Sequence, residues 1–454
     1  MPSTAVPPGD DPTTDVALQI RRTVDGIWAI ESAKVIARVA RMVGDVGVAE
    51  DLAQDALVAA LERWPRSGVP DNPGAWLTAT AKNKAVDLLR RRERLERKHQ
   101  LLGHELAAGA AAASVDDEAD LDDDVRDDLL RLMFIACHPV LARDTRVALT
   151  LRMLGGLRTD EIARAFLVAE PTVAQRIVRA KRTLRAAEVP FELPPRTDLG
   201  ERLASVLEVI YLVFNEGYAA TAGDDWLRPE LCNEALRLGR LLAGLAPDEP
   251  EVHGLVALME IQASRAGART TPTGEPVLLL DQDRGLWNQA QITRGLAALD
   301  RASTLGGPRG PYALQAAIAA CHARARTAQA TDWGEIAALY DALAEVAPSP
   351  VVELNRAVAL SRAFGPAAGL EVVDALLDEP SLRAYHLLPA VRGDLLDGLG
   401  RCDEARREFE RAASLTRNGP ERAVLLGRAA QCAAHAAAPS VAPPTGVAER
   451  RRRA

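Results

Sequence analysis

Two adjacent stretches decide the fold of this chain. Residues 49–57, AEDLAQDAL, combine helical apolar spacing with carboxylates, and the helix that they form is predicted to end at Trp64-Pro65. Residues 73–92, PGAWLTATAKNKAVDLLRRR, predict a second helix that presents Lys, Asn and Arg near an aromatic ring. Together they indicate a small helical module. Its acidic helix suits a basic protein surface, and its cationic helix suits nucleic acid.

The composition favours a multidomain, all-α protein. The chain has 454 residues, of which 48% are hydrophobic but only 4% aromatic, so Ala and Leu dominate the apolar positions. Its five cysteines are scattered and never spaced as CxxC, which indicates no metal site and a reducing compartment. With no leader peptide and no run of roughly 18 apolar residues, we expect a cytoplasmic protein without a membrane span.

Charge is unevenly distributed along a chain whose net charge is −8. Residues 75–98 hold eight basic and three acidic residues, a local charge of +5. Residues 99–130 hold ten acidic residues and one arginine, a local charge of −9, and residues 140–188 return to +5. Because local rather than total charge attracts phosphate, the two basic blocks are candidates for nucleic-acid binding.

Changes in composition divide the chain into six segments. They are a disordered tail (1–18), a helical domain (19–98), an acidic flexible linker (99–128), a second helical domain (129–188), a third helical domain (198–436) and a disordered basic tail (437–454). Two interpretations of the acidic linker stay open. It is a solvated spacer, or it mimics DNA against the neighbouring basic blocks until a partner displaces it.

The third helical domain carries a degenerate repeat. Gly393, Leu396 and Phe409 fall at offsets typical of a tetratricopeptide unit, in which small residues let two antiparallel helices approach. Similar positions recur upstream at a period close to the roughly 34 residues of such units. We therefore predict a stack of helical hairpins whose concave surface suits a protein or peptide partner.

Residues 159–185 have the spacing of a helix-turn-helix motif. In its second helix, Val173, Ile177, Ala180 and Leu184 form an apolar stripe. The outward positions carry groups that read base edges or contact phosphates: Thr172, Gln175, Arg176, Arg179 and Arg182. The alternative, a basic helix on a solvent face without DNA contact, stays open.

These motifs together resemble the extracytoplasmic-function sigma factors of the sigma-70 family. Residues 48–56, Trp64-Pro65 and residues 73–91 are similar to the second conserved domain of that family, and the helix-turn-helix block is similar to its fourth. The resemblance implies two small helical sigma domains joined by the acidic linker. It implies partners too, namely promoter DNA and core RNA polymerase, through the largest-subunit clamp and the flap. No cofactor and no enzymatic activity are expected.

The resemblance assigns roles to individual residues. Polymerase binding is implied for one face of the acidic helix, at Asp51, Gln54 and Asp55. Contacts with the melted minus-10 strand are implied for five residues: Trp76, Lys82, Asn83, Arg90 and Arg91. Contacts with the minus-35 element are implied for the outward positions of the helix-turn-helix. For Trp76, a core tryptophan is an equally good interpretation.

The third helical domain also resembles the long C-terminal extension of one group of sigma factors. Residues 210–218 and 280–287 carry this similarity. They include candidates for contacts made by the extension: Asn215, Glu216, Asp281, Asp283, Arg284 and Trp287. No nucleophile, His or phosphate loop accompanies the carboxylates, so catalysis is not expected there. The resemblance implies that the extension regulates activity in cis.

Two hypotheses follow from the sequence. The first is a sigma factor that binds core RNA polymerase, directs it to promoters and assists DNA melting, with a TPR-like regulatory extension. The second is a helix-turn-helix regulator or adaptor whose repeat surface binds a protein or peptide and which never acts as a sigma subunit. They differ in whether the acidic helix binds polymerase.

Overall fold

The computed structural model describes residues 12–102, 121–166, 168–195, 197–218, 228–271, 277–306, 310–416 and 418–437. Within them the regular elements are helices, which confirms the predicted all-α class. The chain divides into two compact units. The first comprises Met1–Gly217 and Pro229–Pro247, and the second comprises Tyr218–Arg228 and Asp248–Ala454.

The first unit has nine α-helices among its described residues. They are α1 (Pro12–Val43), α2 (Val46–Ser67), α3 (Pro73–Leu102), α4 (Leu121–Ala136), α5 (Arg143–Met153), α6 (Thr159–Ala165), α7 (Glu170–Ala186), α8 (Leu199–Tyr218) and α9 (Pro229–Leu245). Helices α1, α2 and α3 pack on one another and are called the N-terminal group. Helices α4 to α7 form the helix-turn-helix group, in which α5, α6 and α7 pack together and α4 packs on α5. Because α4 also packs along α1, the two groups are in contact.

Helix α2 has a cap at each end. The side chain of Asp45 accepts hydrogen bonds from the backbone N–H groups of Gly47 (2.8 Å) and Val48 (3.0 Å). Such a cap satisfies donors that have no partner within the helix. At the other end, Gly68 adopts a φ of +81°, a conformation that glycine tolerates best, and its N–H donates to the carbonyl of Trp64 at 3.0 Å. The caps fix where α2 begins and ends.

The prediction that this helix ends at Trp64-Pro65 is wrong. Pro65 lies inside α2, which continues to Ser67. A proline near the end of a helix removes only one of the backbone hydrogen bonds of the last turns, and the cap at Gly68 offsets part of that loss.

Stretches whose composition predicts a tail or a linker are partly helical in α1, α3 and α4, and α3 continues to Leu102. Helix α1 begins at Pro12, and α4 begins at Leu121 within the acidic run. An acidic run is compatible with a helix when it lies at the N-terminal end, where the helix dipole favours negative charge. Residues 1–11, 103–120 and 438–454 lie outside the described residues, so the two tails and most of the linker stay predictions.

The apolar stripe predicted for the second helix of the helix-turn-helix is confirmed. It lies in α7, where Val173, Ile177, Ala180 and Leu184 are buried while the helix packs on α5 and α6. Pro171 occupies the first turn of α7, where its missing N–H costs no hydrogen bond. The stripe therefore orients the opposite face of α7 away from the core.

Helices α8 and α9 belong to the first unit, although the sequence places them in the third helical domain. Arg202 in α8 donates to the carbonyl of Phe134 in α4 at 2.7 Å. Arg237 in α9 donates to the carbonyl of Leu154 at the end of α5. The first unit therefore extends past residue 198 and ends at Pro247.

The second unit is a helical-repeat domain. Its described α-helices are α10 (Pro250–Ala263), α11 (Gln289–Gly306), α12 (Pro311–Arg324), α13 (Trp333–Val346), α14 (Pro350–Phe364), α15 (Pro366–Ala375), α16 (Leu387–Gly398), α17 (Cys402–Leu415) and α18 (Gly419–Ala437). From α12 to α18, each helix packs on the next one along the chain. Such stacking buries apolar faces that no single helix pair covers alone.

The predicted repeat unit around Gly393 corresponds to α16 and α17. A Cβ atom built on Gly393 lies 2.8 Å from the ring of Phe409, a side chain that is fully buried. Ala405 and Ala412 of α17 are buried as well. Small residues therefore allow α16 and α17 to approach closely, as the repeat pattern predicts.

We expect the Gly393→Ala substitution to destabilise the second unit by about 1–3 kcal/mol, because the added methyl group overlaps the ring of Phe409. Chemical denaturation followed by circular dichroism measures the change. Gly427→Ala is the matched control. A Cβ atom on Gly427, which lies in α18, meets no atom within 4 Å, so this change should stabilise by up to about 1 kcal/mol. Equal stability of the two variants would contradict close packing at Gly393.

None of the described helices combines the length and the apolar character that a membrane crossing requires. Over the same part of the chain, no three His, Cys, Asp or Glu side chains are grouped so as to hold a metal ion. All five cysteines are free thiols, and burial raises the pKa of Cys137 to about 11, which keeps it protonated.

Candidate nucleic-acid and protein interfaces

The acidic face of α2 carries the three residues predicted to bind polymerase. Asp51 and Asp55 are exposed, and Gln54 is half-buried. The carboxylate of Asp51 lies 3.0 Å from Nζ of Lys181 in α7. The carboxylate of Asp55 lies 3.4 Å from Nζ of Lys84 in α3. Both carboxylates thus have cationic partners within the chain, and a basic partner protein would compete with those cations.

The adjacent Glu50 is not among the residues predicted from the sequence. Its side chain is only 4% exposed, and it accepts hydrogen bonds from Nε of Arg152 (2.9 Å) and from Nζ of Lys181. Both cations belong to the helix-turn-helix group, so Glu50 joins that group to the N-terminal group. The sequence gives only a weak indication that Glu50 is buried. Helical spacing places it on the same face as Ala53 and Leu57, so a carboxylate lies on a face that packs against the protein.

Two cations of α7 pair with α2. Burial disfavours the charge of Lys181, but the carboxylates of Glu50 and Asp51 outweigh burial and raise its pKa. Arg185 donates from Nε to Asp45 at 2.6 Å. Burial tends to raise the pKa of Asp45, yet Arg185 and the backbone N–H groups at the start of α2 lower it overall. The carboxylates at the start of α2 and the cations of α7 therefore form one network of ion pairs.

Trp76 and Trp64 meet beside an open hollow in the N-terminal group. Their ring centroids lie 5.3 Å apart in an edge-to-face arrangement. Trp64 is buried and belongs to the core, whereas Trp76 is half-buried. Both rings line the hollow, which has a volume of about 530 Å³ and also includes Arg63 and Arg66. Trp64 is therefore the core tryptophan, whereas Trp76 borders the hollow, which is large enough for a planar ring.

Helix α3 presents most of the predicted minus-10 residues on one face. Trp76, Asn83 and Arg90 follow one another at a spacing that returns to the same side of the helix after two turns. Asn83, Arg90 and Arg91 are exposed. The structure therefore brings an aromatic ring, an amide and the guanidinium of Arg90 to one side of α3, and Arg91 lies one position further around the helix.

Lys82 lies on a different face of α3, near a buried carboxylate. Asp128 of α4 is 1% exposed and lies 3.6 Å from Arg38 and 3.5 Å from Arg41 in α1, with Arg131 of its own helix at 2.9 Å. Burial raises the pKa of Asp128 although the three arginines oppose the rise. Burial, with the charges of Arg38 and Arg41, lowers the pKa of Lys82. A carboxylate of the helix-turn-helix group thus occupies a basic patch of the N-terminal group.

The outer face of α7 carries four of the five residues predicted to contact the minus-35 element. These four are exposed: Thr172, Gln175, Arg179 and Arg182. Arg176 differs, because it is half-buried and donates to the carboxylate of Asp144 in α5 at 2.9 Å. Helical spacing alone does not show that pair, since Asp144 lies in a different helix.

Val178 on the same face of α7 is a second residue that the sequence-based prediction omits. Its side chain is 64% exposed, which is unusual for a large apolar residue among arginines. It lines a shallow hollow of about 300 Å³ with Ala174, Gln175, Arg179 and Arg182. The sequence could have predicted this exposure. Helical spacing places Val178 among the outward positions of α7 and not on its buried stripe.

The residues predicted as contacts of the extension lie in both units. Asn215 and Glu216 belong to α8 in the first unit, and the other four belong to the second unit. Trp287 is buried, and the guanidinium of Arg284 lies 4.6 Å from the centroid of its ring. Arg284 also donates to the carbonyls of His322 and, at 2.8 Å, Ala325. These contacts give Arg284 and Trp287 structural roles within the second unit.

Asp281 and Asp283 are exposed, and only one of them has a local role in the described structure. Asp283 accepts the N–H of Gly285 at 2.8 Å and thereby caps a short 3-10 helix, Arg284–Leu286. Glu216 lines a cavity of about 290 Å³ between α5, α7 and α8, together with Arg143 and Arg176.

Three family models match separate parts of the chain. Residues 31–95 match Sigma-70 region 2, and residues 131–184 match Sigma-70 region 4. Residues 202–303 match a family of unknown function, DUF6596. The two sigma matches coincide with the N-terminal and helix-turn-helix groups, whereas the third spans parts of both compact units.

Known proteins are similar over different lengths. An uncharacterized protein of Rhizobium meliloti (strain 1021) is 46% identical over 387 residues, which cover 84% of this chain and 89% of that protein. The probable ECF RNA polymerase sigma factor SigI of Mycobacterium tuberculosis is 29% identical over 38% of this chain and 58% of its own length. The crystal structure of yeast Tom70 superposes with a TM-score of 0.36 at 11% identity, over 93% of this chain and 86% of that one. A TM-score of this size assigns no fold.

The matched regions lie in the order that the sequence motifs predict, and the similarity to the Rhizobium protein, over 84% of this chain, extends into both units. The chain therefore carries Sigma-70 regions 2 and 4 in that order, is similar to a probable ECF RNA polymerase sigma factor, and continues into a C-terminal helical-repeat domain.

Proposed function

We propose that this sigma factor binds core RNA polymerase through α2, directs it to promoters with minus-35 and minus-10 elements, and assists DNA melting. The observation that supports the proposal is the set of three faces on one compact unit. They are the acidic face of α2, the aromatic and cationic face of α3, and the outer face of α7. Because core RNA polymerase works in the cytoplasm, this function places the chain there.

Base reading at the minus-35 element is proposed for the outer face of α7. Gln175 can pair through its amide with adenine, and Arg179 can donate two hydrogen bonds to guanine. Val178 between them offers an apolar surface to the methyl group of thymine. Arg182, nearer the end of the helix, suits a phosphate, which positions the helix without reading sequence.

Strand capture at the minus-10 element is proposed for the hollow beside Trp76. An unstacked base needs an aromatic or apolar surface and a hydrogen-bonding group at its edge. Trp76 supplies the ring at the hollow, and farther along α3 an amide and cations for the rest of the strand are supplied by Asn83, Arg90 and Arg91. Lys82 has its own role on the far side of α3, next to Asp128, so its proposed strand contact is the weakest of the five.

Transcription with purified components tests this function. The full chain is added to core RNA polymerase and genomic DNA, and the starts of the transcripts are mapped. We expect starts at a set of sites that share two sequence elements, and none of these starts with core polymerase alone. Transcripts that do not depend on the chain would contradict the proposal and favour the adaptor hypothesis.

Regulation in cis is proposed for the second unit, whose helical stack suits a protein or peptide partner. Truncation after Pro247 removes most of this unit and keeps α8 and α9, which pack on the helix-turn-helix group. We expect the truncated chain to differ from the full chain in run-off transcription by several-fold. Equal transcription by both chains would contradict a regulatory role in initiation.

A further inference from the structure

Two arginines of the second unit lie against the ring of Trp287. Arg265 follows the end of α10, and Arg284 begins the 3-10 helix that ends at Leu286. The guanidinium carbon of Arg284 lies 4.6 Å from the centroid of the Trp287 ring, and that of Arg265 lies 6.0 Å from it. Arg284 also contacts His322 of α12 through its carbonyl. These four residues, Arg265, Arg284, Trp287 and His322, are called the arginine cluster.

The described residues supply no carboxylate partner to either arginine of the cluster. Arg284 donates to two carbonyls at the end of α12 and to the hydroxyl of Thr331. Arg265 is buried and donates to the side-chain oxygen of Gln262 at 2.7 Å. Neutral acceptors and an aromatic ring offset only part of the cost of burying a positive charge. The arginine cluster therefore carries an excess of positive charge.

Three buried nitrogen atoms of the arginine cluster lack a hydrogen-bond partner in the part of the chain that the structure describes. They are Nε of Arg265, Nε1 of Trp287 and Nδ1 of His322. Each of these side chains is more than nine-tenths buried. Burying an N–H group without an acceptor costs free energy, and folded proteins rarely leave several such groups together. A small ligand with several acceptor oxygens would satisfy them.

The pKa of His322 indicates the sign of the electrostatic potential in the cluster. Burial, together with the charges of Arg265 and Arg284, lowers this pKa to about 4, so the imidazole is neutral at neutral pH. Burial and the charge of Arg265 also lower the pKa of Arg284. Arg284 itself is half-buried between exposed neighbours, so solvent reaches one side of the cluster. A positive potential that solvent can reach attracts anions.

We propose that the arginine cluster binds one phosphate group, either free inorganic phosphate or the phosphate of a small monoester. Guanidinium groups bind phosphate oxygens through charge-assisted hydrogen bonds. Phosphate carries up to two negative charges, which match the two arginines, and its oxygens accept from Nε of Arg265 and Nε1 of Trp287. A carboxylate has one charge and two oxygens, so it satisfies fewer of these groups. The site lies within the second unit and does not depend on the function proposed for the sigma regions.

Titration calorimetry of the full chain with inorganic phosphate, at constant pH and ionic strength, tests the site. We expect one saturable site. Arg265→Gln removes a guanidinium and should weaken binding at least about tenfold, because hydrogen bonds to charged groups are the strong ones. Trp287→Phe keeps an aromatic ring but removes Nε1, and should weaken binding about three- to tenfold, as expected for one neutral donor. Circular dichroism establishes that the variants are folded.

The matched control removes the same charge elsewhere in the second unit. Arg301 of α11 is exposed, and Arg301→Gln should bind phosphate like the unchanged chain. If Arg265→Gln does not fold, Trp287→Phe decides the result. Undiminished binding by the folded variants of the cluster would mean that phosphate occupies another basic surface, and would overturn the proposal. An equal loss in Arg301→Gln would overturn it as well, because total charge would then govern binding.

Thermal unfolding distinguishes a ligand site from an arginine with a structural role alone. A ligand that binds only the folded state raises the midpoint of unfolding. Phosphate should therefore raise it, relative to chloride at the same ionic strength, in the unchanged chain and in Arg301→Gln but not in Arg265→Gln. If Arg265 only supports the fold, its loss shifts the midpoint equally in both salts, and the proposal fails.

Glycerol 3-phosphate in place of inorganic phosphate identifies the source of the phosphate group. Tighter binding of the ester assigns the site to a phosphate monoester, whereas equal or weaker binding assigns it to free phosphate. No saturable binding of either compound would overturn the site. Because neither polymerase nor DNA is present in these assays, that result would leave the function proposed for the sigma regions unaffected.

Discussion

The double substitution Asp51→Ala with Asp55→Ala is expected to weaken binding of core RNA polymerase roughly 100-fold. Charge pairs across a protein interface contribute about 1.5 kcal/mol or more each, and each such loss is about a tenfold change in Kd. Both side chains are exposed on one face of α2, so their removal leaves no cavity and little cost in stability. Fluorescence titration of the labelled chain with purified core polymerase, at one fixed salt concentration, measures the change.

The matched control for this prediction removes the same charge elsewhere on the first unit. Glu201 and Glu230 are exposed in the first turns of α8 and α9, so Glu201→Ala with Glu230→Ala should leave polymerase binding within about twofold. A loss of similar size in both double variants would mean that total charge, rather than the face of α2, governs binding.

This pair of variants also separates the two hypotheses drawn from the sequence. A helix-turn-helix adaptor that never acts as a sigma subunit makes no use of the acidic face of α2. It would retain whatever polymerase affinity it has after the Asp51 and Asp55 changes. Polymerase binding that survives the double substitution would therefore remove the main support for the sigma-factor mechanism.

The second large effect is expected at the outer face of α7. Arg179→Ala with Arg182→Ala should lower the affinity of the polymerase-bound chain for promoter DNA by about 100-fold, since each arginine contributes on the order of 1–3 kcal/mol. The dependence of affinity on salt should weaken as well, with a slope reduced by about two, because two phosphate or base contacts no longer release counterions. Competition binding over a series of salt concentrations measures both quantities.

A control with the same charge change lies in the second unit. Arg406 and Arg411 in α17 are a pair of arginines outside the sigma domains, and Arg406→Ala with Arg411→Ala should leave promoter affinity and its salt slope unchanged. If the α7 variant keeps its salt slope while losing affinity, the arginines support the helix rather than contact DNA. That result would move base reading away from the outer face of α7.

The local features of this protein could be predicted from its sequence. The apolar stripe of α7 from Val173 to Leu184, the exposed positions around Gln175, and the close packing at Gly393 all follow from the period of a single helix or a single helix pair. Each of these patterns extends over only a few helical turns, so it can be recognised from the types of the side chains alone. Val178 belongs to the same class, because its outward position follows from the stripe.

The features that only the tertiary structure decided depend on contacts between distant parts of the chain. Glu50 and Lys181 are separated by 131 positions, and nothing near either residue indicates the other. The same holds for Asp128 beside Arg38, and for the packing of α8 and α9 on the helix-turn-helix group. Sequence periodicity shows which face of a helix is buried but not which helix covers it. For that reason the sequence determined the character of each helix face, whereas only the tertiary structure decided that α2 and α7 are joined by ion pairs.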